Sequence, residues 1–214
     1  KLDLDLEVSI PTQKVTIPLD GSSLGGLGLT VRFGSLVFKE LEANIVQGFP
    51  SVPQDQEMPQ GFMAEREGKR NMSWRADKPH TLMFATVLDK GDPEVDVPYR
   101  DAVYSWEAPF TEGSQKEMLK TKDRFSGITF GDKNTAIAYD YWWNDRNTKT
   151  YLFDPSNASK TPVVLYDRNY QDRYSDPGSF VSSKNEFNRE TLEIEDGKLF
   201  LLGDGFSEKG QFPF

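Results

Sequence analysis

The sequence predicts an all-β protein, and three observations support this. The first is a repeated pattern: Met72-Ser73-Trp74 with Asp77-Lys78, then Ile128-Thr129-Phe130 with Asp132-Lys133. The second is the composition, because 13% of the residues are aromatic although only 36% are hydrophobic. The third is the frequency of 13 prolines and 17 glycines, which leave short segments suited to strands. A recurring four-strand unit is typical of propeller blades, so we predict a partial β-propeller made of four-stranded antiparallel blades.

The N-terminal region opens with alternating apolar and polar residues. Residues 2–19 predict two strands joined by a turn at Pro11-Thr12-Gln13. The assignment of residues 1–60 to blades, and therefore the number of blades there, stays open. Because the sequence starts within a strand-like alternation, we expect it to be a segment of a longer protein.

The first clear blade is predicted over residues 71–122. Leu82 and Phe84 follow Asp77 at strand-like spacing, and a second strand pair leads from Tyr104-Ser105-Trp106 to Met118-Leu119. An acidic insertion, residues 89–96, separates the two strand pairs of this blade.

The second blade is predicted over residues 125–167 and repeats this plan. Ile137 and Tyr139 follow Asp132 at the same spacing, and the next strands contain Tyr151-Leu152-Phe153 and Val164-Leu165. A further unit is predicted from about residue 179, with a hairpin over residues 192–202 around the two-residue turn Asp196-Gly197.

The repeat also predicts roles for individual side chains. Each repeated Asp is expected to accept a hydrogen bond from the backbone two residues further on, in a tight turn. Inner strands of a blade are covered on both faces, so the aromatic residues of the repeat are predicted to pack between blades. These residues are Trp74, Phe84, Trp106, Phe130, Tyr139 and Phe153.

Charge and composition exclude several classes of function. A formal net charge of −9 argues against binding to nucleic acid. No apolar run approaches the roughly 20 residues that cross a bilayer, so no membrane partner is expected. The absence of cysteine excludes disulfides and is compatible with either side of a membrane, with a periplasmic or secreted bacterial protein favoured. One histidine and no cysteine exclude ordinary zinc sites, and no cofactor is predicted.

Two motifs suggest chemistry but have a simpler explanation. The G-x-S-x-G motif of residues 21–25 resembles a nucleophile elbow, yet no helix follows it, and a chance match is the better interpretation. An esterase that uses Ser23 is therefore not expected. Asp167, Asp172 and Asp176 share a loop but lack the Gly and bidentate Glu of a calcium site, so no metal is predicted.

Two segments are candidates for binding. Trp142 and Trp143 lie in a run of three large rings that cannot all face one side, so at least one must meet another blade, a partner or a ligand. The loop of residues 167–178 places Arg beside Tyr, a combination suited to gripping carboxylates or planar groups. A surface network of Arg–Asp pairs explains the same loop more simply and is the favoured interpretation.

Several motifs resemble, in order, the propeller of prolyl-oligopeptidase-family serine peptidases, and in particular the glutamyl endopeptidase branch. The resemblance covers residues 58–181. Its motifs are Ser73-Trp74-Arg75-Ala76-Asp77-Lys78-Pro79, Asp89-Lys90-Gly91-Asp92-Pro93, Pro98-Tyr99-Arg100-Asp101, Ala108-Pro109-Phe110, Trp142-Trp143 and Asp172-Arg173-Tyr174-Ser175-Asp176-Pro177-Gly178.

The resemblance implies a parent protein with a propeller and a C-terminal α/β-hydrolase domain that carries Ser, Asp and His. That catalytic domain is absent from this chain, so no catalytic residue is assigned and the chain alone is not expected to be an enzyme. The propeller is expected to gate the access of peptide substrate and to dock on the hydrolase domain.

A glutamate-preferring parent needs a cation for the substrate carboxylate. The candidate substrate-binding residues in the matching loops are Arg100, Arg146, Arg168, Arg173, Trp142 and Trp143. The alternative function is a free-standing propeller that binds a protein or a glycan through Trp142 and Trp143. Blades at a cut end expose apolar edges, so we also expect an edge-mediated dimer.

Overall fold

The structure is a computed structural model that describes residues 58–214, together with the backbone of four short strands nearer the N-terminus. The chain divides into two compact units, residues 1–52 with 107–114 and residues 53–106 with 115–214. In the first unit, β1 (Asp5–Ile10) pairs antiparallel with β2 (Gln13–Pro18), which confirms the two predicted strands. A second pair consists of β3 (Phe38–Lys39) and β4 (Glu42–Ile45).

The second unit begins with a four-stranded antiparallel sheet, called sheet 1. Its strands follow one another in space as they do in sequence, which is the arrangement of a meander. They are β5 (Arg70–Trp74), β6 (Thr81–Val87), β7 (Asp101–Glu107) and β8 (Lys116–Thr121). The predicted acidic insertion forms the connection between β6 and β7.

A second four-stranded meander, called sheet 2, follows at once. Its strands are β9 (Arg124–Phe130), β10 (Ala136–Trp142), β11 (Asn147–Phe153) and β12 (Val163–Asn169). The register between β9 and β10 shifts at Tyr139 and Asp140, where Gly127 and Phe125 become successive partners. Such a bulge re-aims the side chains beside it, and Asp140 is fully buried there.

The remaining residues form short antiparallel pairs rather than a third four-stranded sheet. The predicted turn at Asp196-Gly197 is confirmed, because both residues have positive φ and join β16 to β17. The predicted hairpin is too long, since Leu192 and Leu202 pair with other segments. The pairs are β13 (Ser179–Phe180) with β18 (Leu201–Leu202), β14 (Ser182–Lys184) with β15 (Glu190–Leu192), β16 (Ile194–Glu195) with β17 (Lys198–Leu199), and β19 (Phe206–Ser207) with β20 (Gly210–Gln211).

The two sheets share one hydrophobic core. It joins residues of sheet 1, such as Met83 and Val103, with residues of sheet 2, such as Phe125 and Ala138. Burial of this apolar surface provides the main favourable free energy for packing one sheet against the other. The all-β prediction is therefore confirmed, with antiparallel four-stranded sheets, but the described residues do not form a closed propeller.

The predicted burial of the aromatic residues is confirmed for four of the six, and Tyr139 is half-buried, but only Phe130 and Phe153 belong to the core shared by the two sheets. Phe84, Trp106, Phe130 and Phe153 are all buried. The prediction is wrong for Trp74, which is 46% exposed because it ends β5, an outer strand of sheet 1 that pairs with β6 alone among the described residues.

The two repeated Asp residues have different roles. The Asp132 carboxylate accepts a hydrogen bond from the backbone N–H of Asn134 at 2.8 Å, which confirms the predicted turn. The Asp77 carboxylate instead accepts two bonds from the Arg75 guanidinium, at 3.0 and 2.7 Å. Among the described residues, no helix has the length and apolarity that a bilayer crossing requires.

Candidate functional site

The predicted tryptophan pair lies at the end of β10, and an arginine guanidinium stacks on each indole ring. The guanidinium of Arg100 lies 4.1 Å from the ring centroid of Trp142. Arg100 is held in this place by Asp89, at 2.8 Å, and by the carbonyl oxygen of Val95. Since Arg100 precedes β7 of sheet 1 and Trp142 ends β10 of sheet 2, the stack joins the two sheets, as the sequence predicted for at least one ring of this run.

Trp143 carries the second stack. The Arg146 guanidinium lies 3.8 Å from its ring centroid and donates to the Trp143 carbonyl oxygen. The ring of Phe62 stacks on Trp143 at 5.5 Å with an interplanar angle of 23°. Phe62 is 84% exposed and Trp143 is 40% exposed, so these rings form an aromatic surface open to solvent.

The predicted binding loop of residues 167–178 is folded on itself. Arg168 pairs with Asp176 at 3.1 Å and donates to the carbonyl oxygen of Asp172. Hydrogen bonds from Ser175 and from the Tyr174 backbone lower the pKa of Asp172 below its ordinary value. Arg173 lies over the ring of Phe206 at 3.8 Å.

The candidate residues therefore form two groups rather than one site. Arg100, Arg146 and the two tryptophans form the first group, and Arg168 with Arg173 forms the second. A backbone hydrogen bond from Tyr170 to the carbonyl oxygen of Arg146, 2.8 Å long, connects their elements. Within residues 58–214 only Arg100 and Arg168 of the four arginines form ion pairs with carboxylates. Arg146 and Arg173 instead present their charge over aromatic rings.

A buried ionic network joins the two sheets, and the sequence did not predict it. The side chain of Arg124, at the start of β9, is 1% exposed and pairs with Asp89 at 2.8 Å and with Asp101 at 3.3 Å. Its Nε also donates to the carbonyl oxygen of Met63 at 2.8 Å. Asp101 accepts further bonds from Arg70 and from the backbone N–H of Phe125. Both carboxylates are fully buried, so these partners replace the water that folding removes.

A second buried cluster lies within sheet 2, around Asp140. Its carboxylate accepts hydrogen bonds from the Tyr151 hydroxyl at 2.6 Å and from the backbone N–H groups of Asp123 and Lys149, both at 3.0 Å. The Lys149 ammonium pairs with Asp123 at 3.0 Å and lies 3.7 Å from Asp167. Both carboxylate oxygens of Asp140 thus accept hydrogen bonds.

Burial and charge shift the pKa values of this cluster. Burial raises the pKa of Asp140, although the hydrogen bond from Tyr151 opposes the shift. Burial also raises the pKa of the Tyr151 phenol far above its ordinary value, and the Asp140 charge adds to this. Burial alone would lower the pKa of Lys149, but the hydrogen bond and charge of Asp123 dominate and raise it.

The sequence contained a signal for both clusters. Asp140 interrupts the otherwise apolar and aromatic strand from Ala136 to Trp142, and Arg124 directly precedes the core residue Phe125. A charge inside a buried strand needs a partner of opposite charge or several hydrogen bonds. The partners themselves are distant in sequence and could not be assigned from one chain.

The remaining sequence motifs find no site in the described residues. Asp167 accepts from Asn147 and Asp176 pairs with Arg168, so the loop carboxylates contact protein groups. No group of three or more possible metal-ligating side chains occurs in the described part of the chain. His80 is exposed in the turn before β6. The G-x-S-x-G motif of residues 21–25 lies outside the described residues.

Comparison with known proteins gives two similar plant proteins. The chain is 33% identical over 180 residues to the Arabidopsis thaliana protein named "Probable glutamyl endopeptidase, chloroplastic" and 31% identical over 180 residues to the protein of the same name from Oryza sativa subsp. japonica. The matches cover 81% of this chain. The chain is thus similar to proteins that carry the name of a peptidase.

The match to these glutamyl endopeptidase homologues covers only part of them. This chain spans 19% of the length of each plant relative. No protein-family model matches the chain, and no solved structure matches it.

Proposed function

We propose that this chain is a non-catalytic propeller segment of a serine peptidase, which gates the access of substrate and docks on an α/β-hydrolase domain. The observation that carries the proposal is the similarity over 81% of the chain to relatives named glutamyl endopeptidases, of which it spans 19%. A segment of that size leaves ample length in the parent for a separate catalytic domain. Two successive four-stranded meanders are the architecture expected of adjacent blades.

The contacts between sheets 1 and 2 support a gating role. A gate must keep its shape when a large substrate presses on it. Sheets 1 and 2 are held by a shared apolar core, by the buried pairs of Arg124 and by the stack of Arg100 on Trp142. Together these contacts favour motion of the two sheets as one body.

The absence of assigned catalytic residues leads to a direct test. A fluorophosphonate probe labels serine nucleophiles that are activated by a neighbouring base. We expect the probe to label the full-length parent and to leave this 214-residue chain unlabelled. Labelling of the isolated chain at Ser23 would contradict the non-catalytic role and support the esterase that the sequence argues against.

Gating is tested by the size of the substrate. In the full-length protein, Arg100→Ala removes the stack on Trp142 and the bond to Asp89, which loosens the joint between the sheets. We expect kcat/KM for a folded protein substrate to rise at least about threefold relative to that for a short peptide. Lys198→Ala, at an exposed residue that begins β17, is the matched control. An unchanged ratio in Arg100→Ala would contradict gating by these sheets.

Recognition of a glutamate side chain is the second part of the proposal. Arg146 and Arg173 are the preferred candidates, because their charges face aromatic rings and have no carboxylate partner within residues 58–214. Arg100 and Arg168 already form ion pairs, so a substrate would have to compete with Asp89 and Asp176.

Replacing each of the four arginines with Ala in the full-length protein tests this recognition. A hydrogen bond to a charged group contributes about 1.5–3 kcal/mol, so loss of the true partner should lower kcat/KM for Glu substrates about 10- to 100-fold. The same variant should affect a Gln substrate much less. Unchanged kcat/KM values in all four variants would remove this role from the chain.

One observation favours the alternative of a free-standing protein- or glycan-binding propeller. The stacked rings of Phe62 and Trp143 are exposed, and stacked aromatic surfaces bind sugars and protein side chains. The parent sequence distinguishes the two functions. A downstream G-x-S-x-G followed by Asp and His supports the peptidase, whereas an unrelated module supports the binding protein.

A further inference from the structure

A cleft of about 420 Å³ lies between the outer strands of sheets 1 and 2. One wall is β8 of sheet 1. The other is formed by β11, by the start of β12 and by the connection between them, including Tyr151, Pro162 and Val164. The volume falls in the range of about 300–1,000 Å³ that is typical of binding clefts.

The cleft runs along the edge of β8 and not across its face. Four consecutive residues of this strand, from Glu117 to Lys120, line it. Successive side chains of a strand point to opposite faces of the sheet, so four consecutive residues can share one cleft only along the strand edge. In the described residues β8 pairs with β7 alone, which leaves this edge without a neighbouring strand. An open edge inside a cleft is a template for an added strand.

The charge of the cleft is opposite to that of the whole chain. Three lysines, Lys120, Lys122 and Lys149, line it with a single acidic residue, Glu117. Lys149 is neutralised by Asp123, but Lys122 is exposed, and Lys120 forms only an exposed pair with Glu117 at 3.4 Å. Exposed pairs contribute little free energy and exchange readily for another carboxylate. In a chain of net charge −9, this cleft therefore favours an anionic ligand.

The cleft also contains apolar surface. Its accessible apolar surface is on the wall opposite β8, where Val164 is 47% exposed and Pro162 lies beside it, whereas Met118 and Leu119 of β8 are buried in the core. An extended peptide that alternates acidic and apolar side chains matches this lining, because alternate residues of a strand present opposite faces. A small anion such as phosphate would leave the apolar surface and the strand edge unused.

We propose that the cleft beside β8 binds an extended acidic peptide, which adds to sheet 1 as a fifth strand. Backbone hydrogen bonds to the open edge provide the affinity, and Lys120 and Lys122 select carboxylate side chains. The inference stands apart from the proposed function, because equilibrium binding by this chain requires no catalytic domain.

The test is fluorescence anisotropy of the 214-residue chain with a labelled, blocked heptapeptide of alternating Glu and Val. We expect saturable binding that weakens as salt increases, and at least about tenfold weaker binding of the matching Gln–Val peptide. Lys120→Glu combined with Lys122→Glu should weaken binding of the Glu–Val peptide at least tenfold. Lys122→Met alone should weaken it by a smaller factor.

A double variant on other hairpins controls for net charge. Lys184→Glu with Lys198→Glu makes the same charge change on exposed residues of β14 and β17. Binding should be nearly unchanged in it. An equal loss in both double variants would show attraction to overall charge only and would overturn the site.

Strand addition has its own test. Methylation of alternate backbone nitrogens of the peptide removes the donors that face β8, so one of the two methylation registers should abolish binding. Retained binding in both registers would overturn strand addition. If the peptide does not bind and sedimentation shows a dimer that Lys120→Glu with Lys122→Glu disrupts, a second copy of the chain occupies the edge and the proposal is wrong.

Discussion

Arg124 makes the closest charge contacts between sheets 1 and 2. Its guanidinium is shared by Asp89 and Asp101, and its Nε binds the backbone at Met63. All three side chains are buried. The ion pairs therefore mainly offset the cost of removing each charge from water, and they add little net attraction. Removing one partner leaves an uncompensated charge away from water.

We therefore predict that Arg124→Met destabilises the chain strongly. The free energy of unfolding should fall by about 3–5 kcal/mol, because two buried carboxylates lose a shared cation. Denaturant unfolding measures this loss. Lys120→Met, which breaks the exposed pair with Glu117, is the control and should change stability by less than about 1 kcal/mol. A loss below 1 kcal/mol for Arg124→Met would show that the network contributes little.

Tyr151 makes the free energy of unfolding depend on pH in the alkaline range. Burial raises the pKa of its phenol above the ordinary value of about 10, so the folded chain keeps a proton that the unfolded chain loses. Its contribution is complete below pH 10 and is lost as pH rises above that value. The loss for one proton is about 1.4 kcal/mol per pH unit.

Tyr151→Phe should flatten this alkaline loss. At pH 8 the variant should be less stable by about 1 kcal/mol, since the bond to Asp140 is gone. The difference in the free energy of unfolding between the variant and the unsubstituted chain should shrink between pH 10 and 12. Lys149, whose pKa is also raised, keeps part of the alkaline loss in both chains. Urea unfolding against pH measures the effect, with the exposed Tyr174→Phe as control. Parallel curves for Tyr151→Phe and the parent would contradict the assignment.

For single residues, the sequence predicts which side chains are buried better than it predicts which side chains they contact. Alternation and the repeat were enough to place Phe84 and Phe130 in the core. They failed for Trp74 because exposure at an edge strand depends on what lies beside it. The contacts of Arg124 and Asp140 reach residues on other strands, which no local pattern encodes.

The connection between β6 and β7 is the least regular element of sheet 1, yet it is tightly held. Gly91 has a φ of 76° and donates its backbone N–H to the Asp89 carboxylate at 2.9 Å. Its carbonyl oxygen accepts from the N–H of Glu65 at 3.0 Å. A Cβ at this position would lie 1.8 Å from the Glu65 carbonyl oxygen. Only glycine fits there without moving the backbone.

Gly91→Ala should therefore disturb the whole connection. We expect a loss of more than about 1 kcal/mol, from the unfavourable φ and the backbone clash combined. Because Asp89 is displaced with it, the variant should also show faster amide exchange at Arg124. Gly127→Ala in β9, where a Cβ meets nothing within 4 Å, is the control. Equal stability of the two variants would show that the connection is loosely held.

At the element scale the sequence predicted both four-strand units because each strand has a short apolar alternation bounded by turns. It overestimated the hairpin at residues 192–202, since the strength of the Asp196-Gly197 turn says nothing about how far its arms pair. Which strand a short strand pairs with depends on tertiary contacts. Those contacts involve residues that are distant in sequence, so the local pattern does not predict them.

The whole molecule presents an unusual apolar surface on its outer strand. Val163, Val164 and Leu165 of β12 are consecutive and are 54%, 47% and 36% exposed. In the described residues β12 pairs with β11 alone, so its other edge is available. Exposed apolar edge strands associate unless a charge or a proline interrupts them.

We predict that the isolated chain forms a dimer through this edge and that Val163→Lys prevents it. Sedimentation at increasing concentration should show a monomer–dimer equilibrium for the unsubstituted 214-residue chain and a monomer for the variant. Leu202→Lys, which adds the same charge at an exposed apolar residue of β18, should keep the dimer. A parent chain that remains monomeric at all concentrations would contradict edge pairing.

The arrangement of sheets 1 and 2 in the full-length protein tests the central claim most directly. An experimental structure of that protein should show residues 70–121 and 124–169 as consecutive blades about one axis, facing an α/β-hydrolase domain. The contradicting result is a structure in which the two sheets belong to a sandwich without such an axis, or in which no hydrolase domain accompanies them.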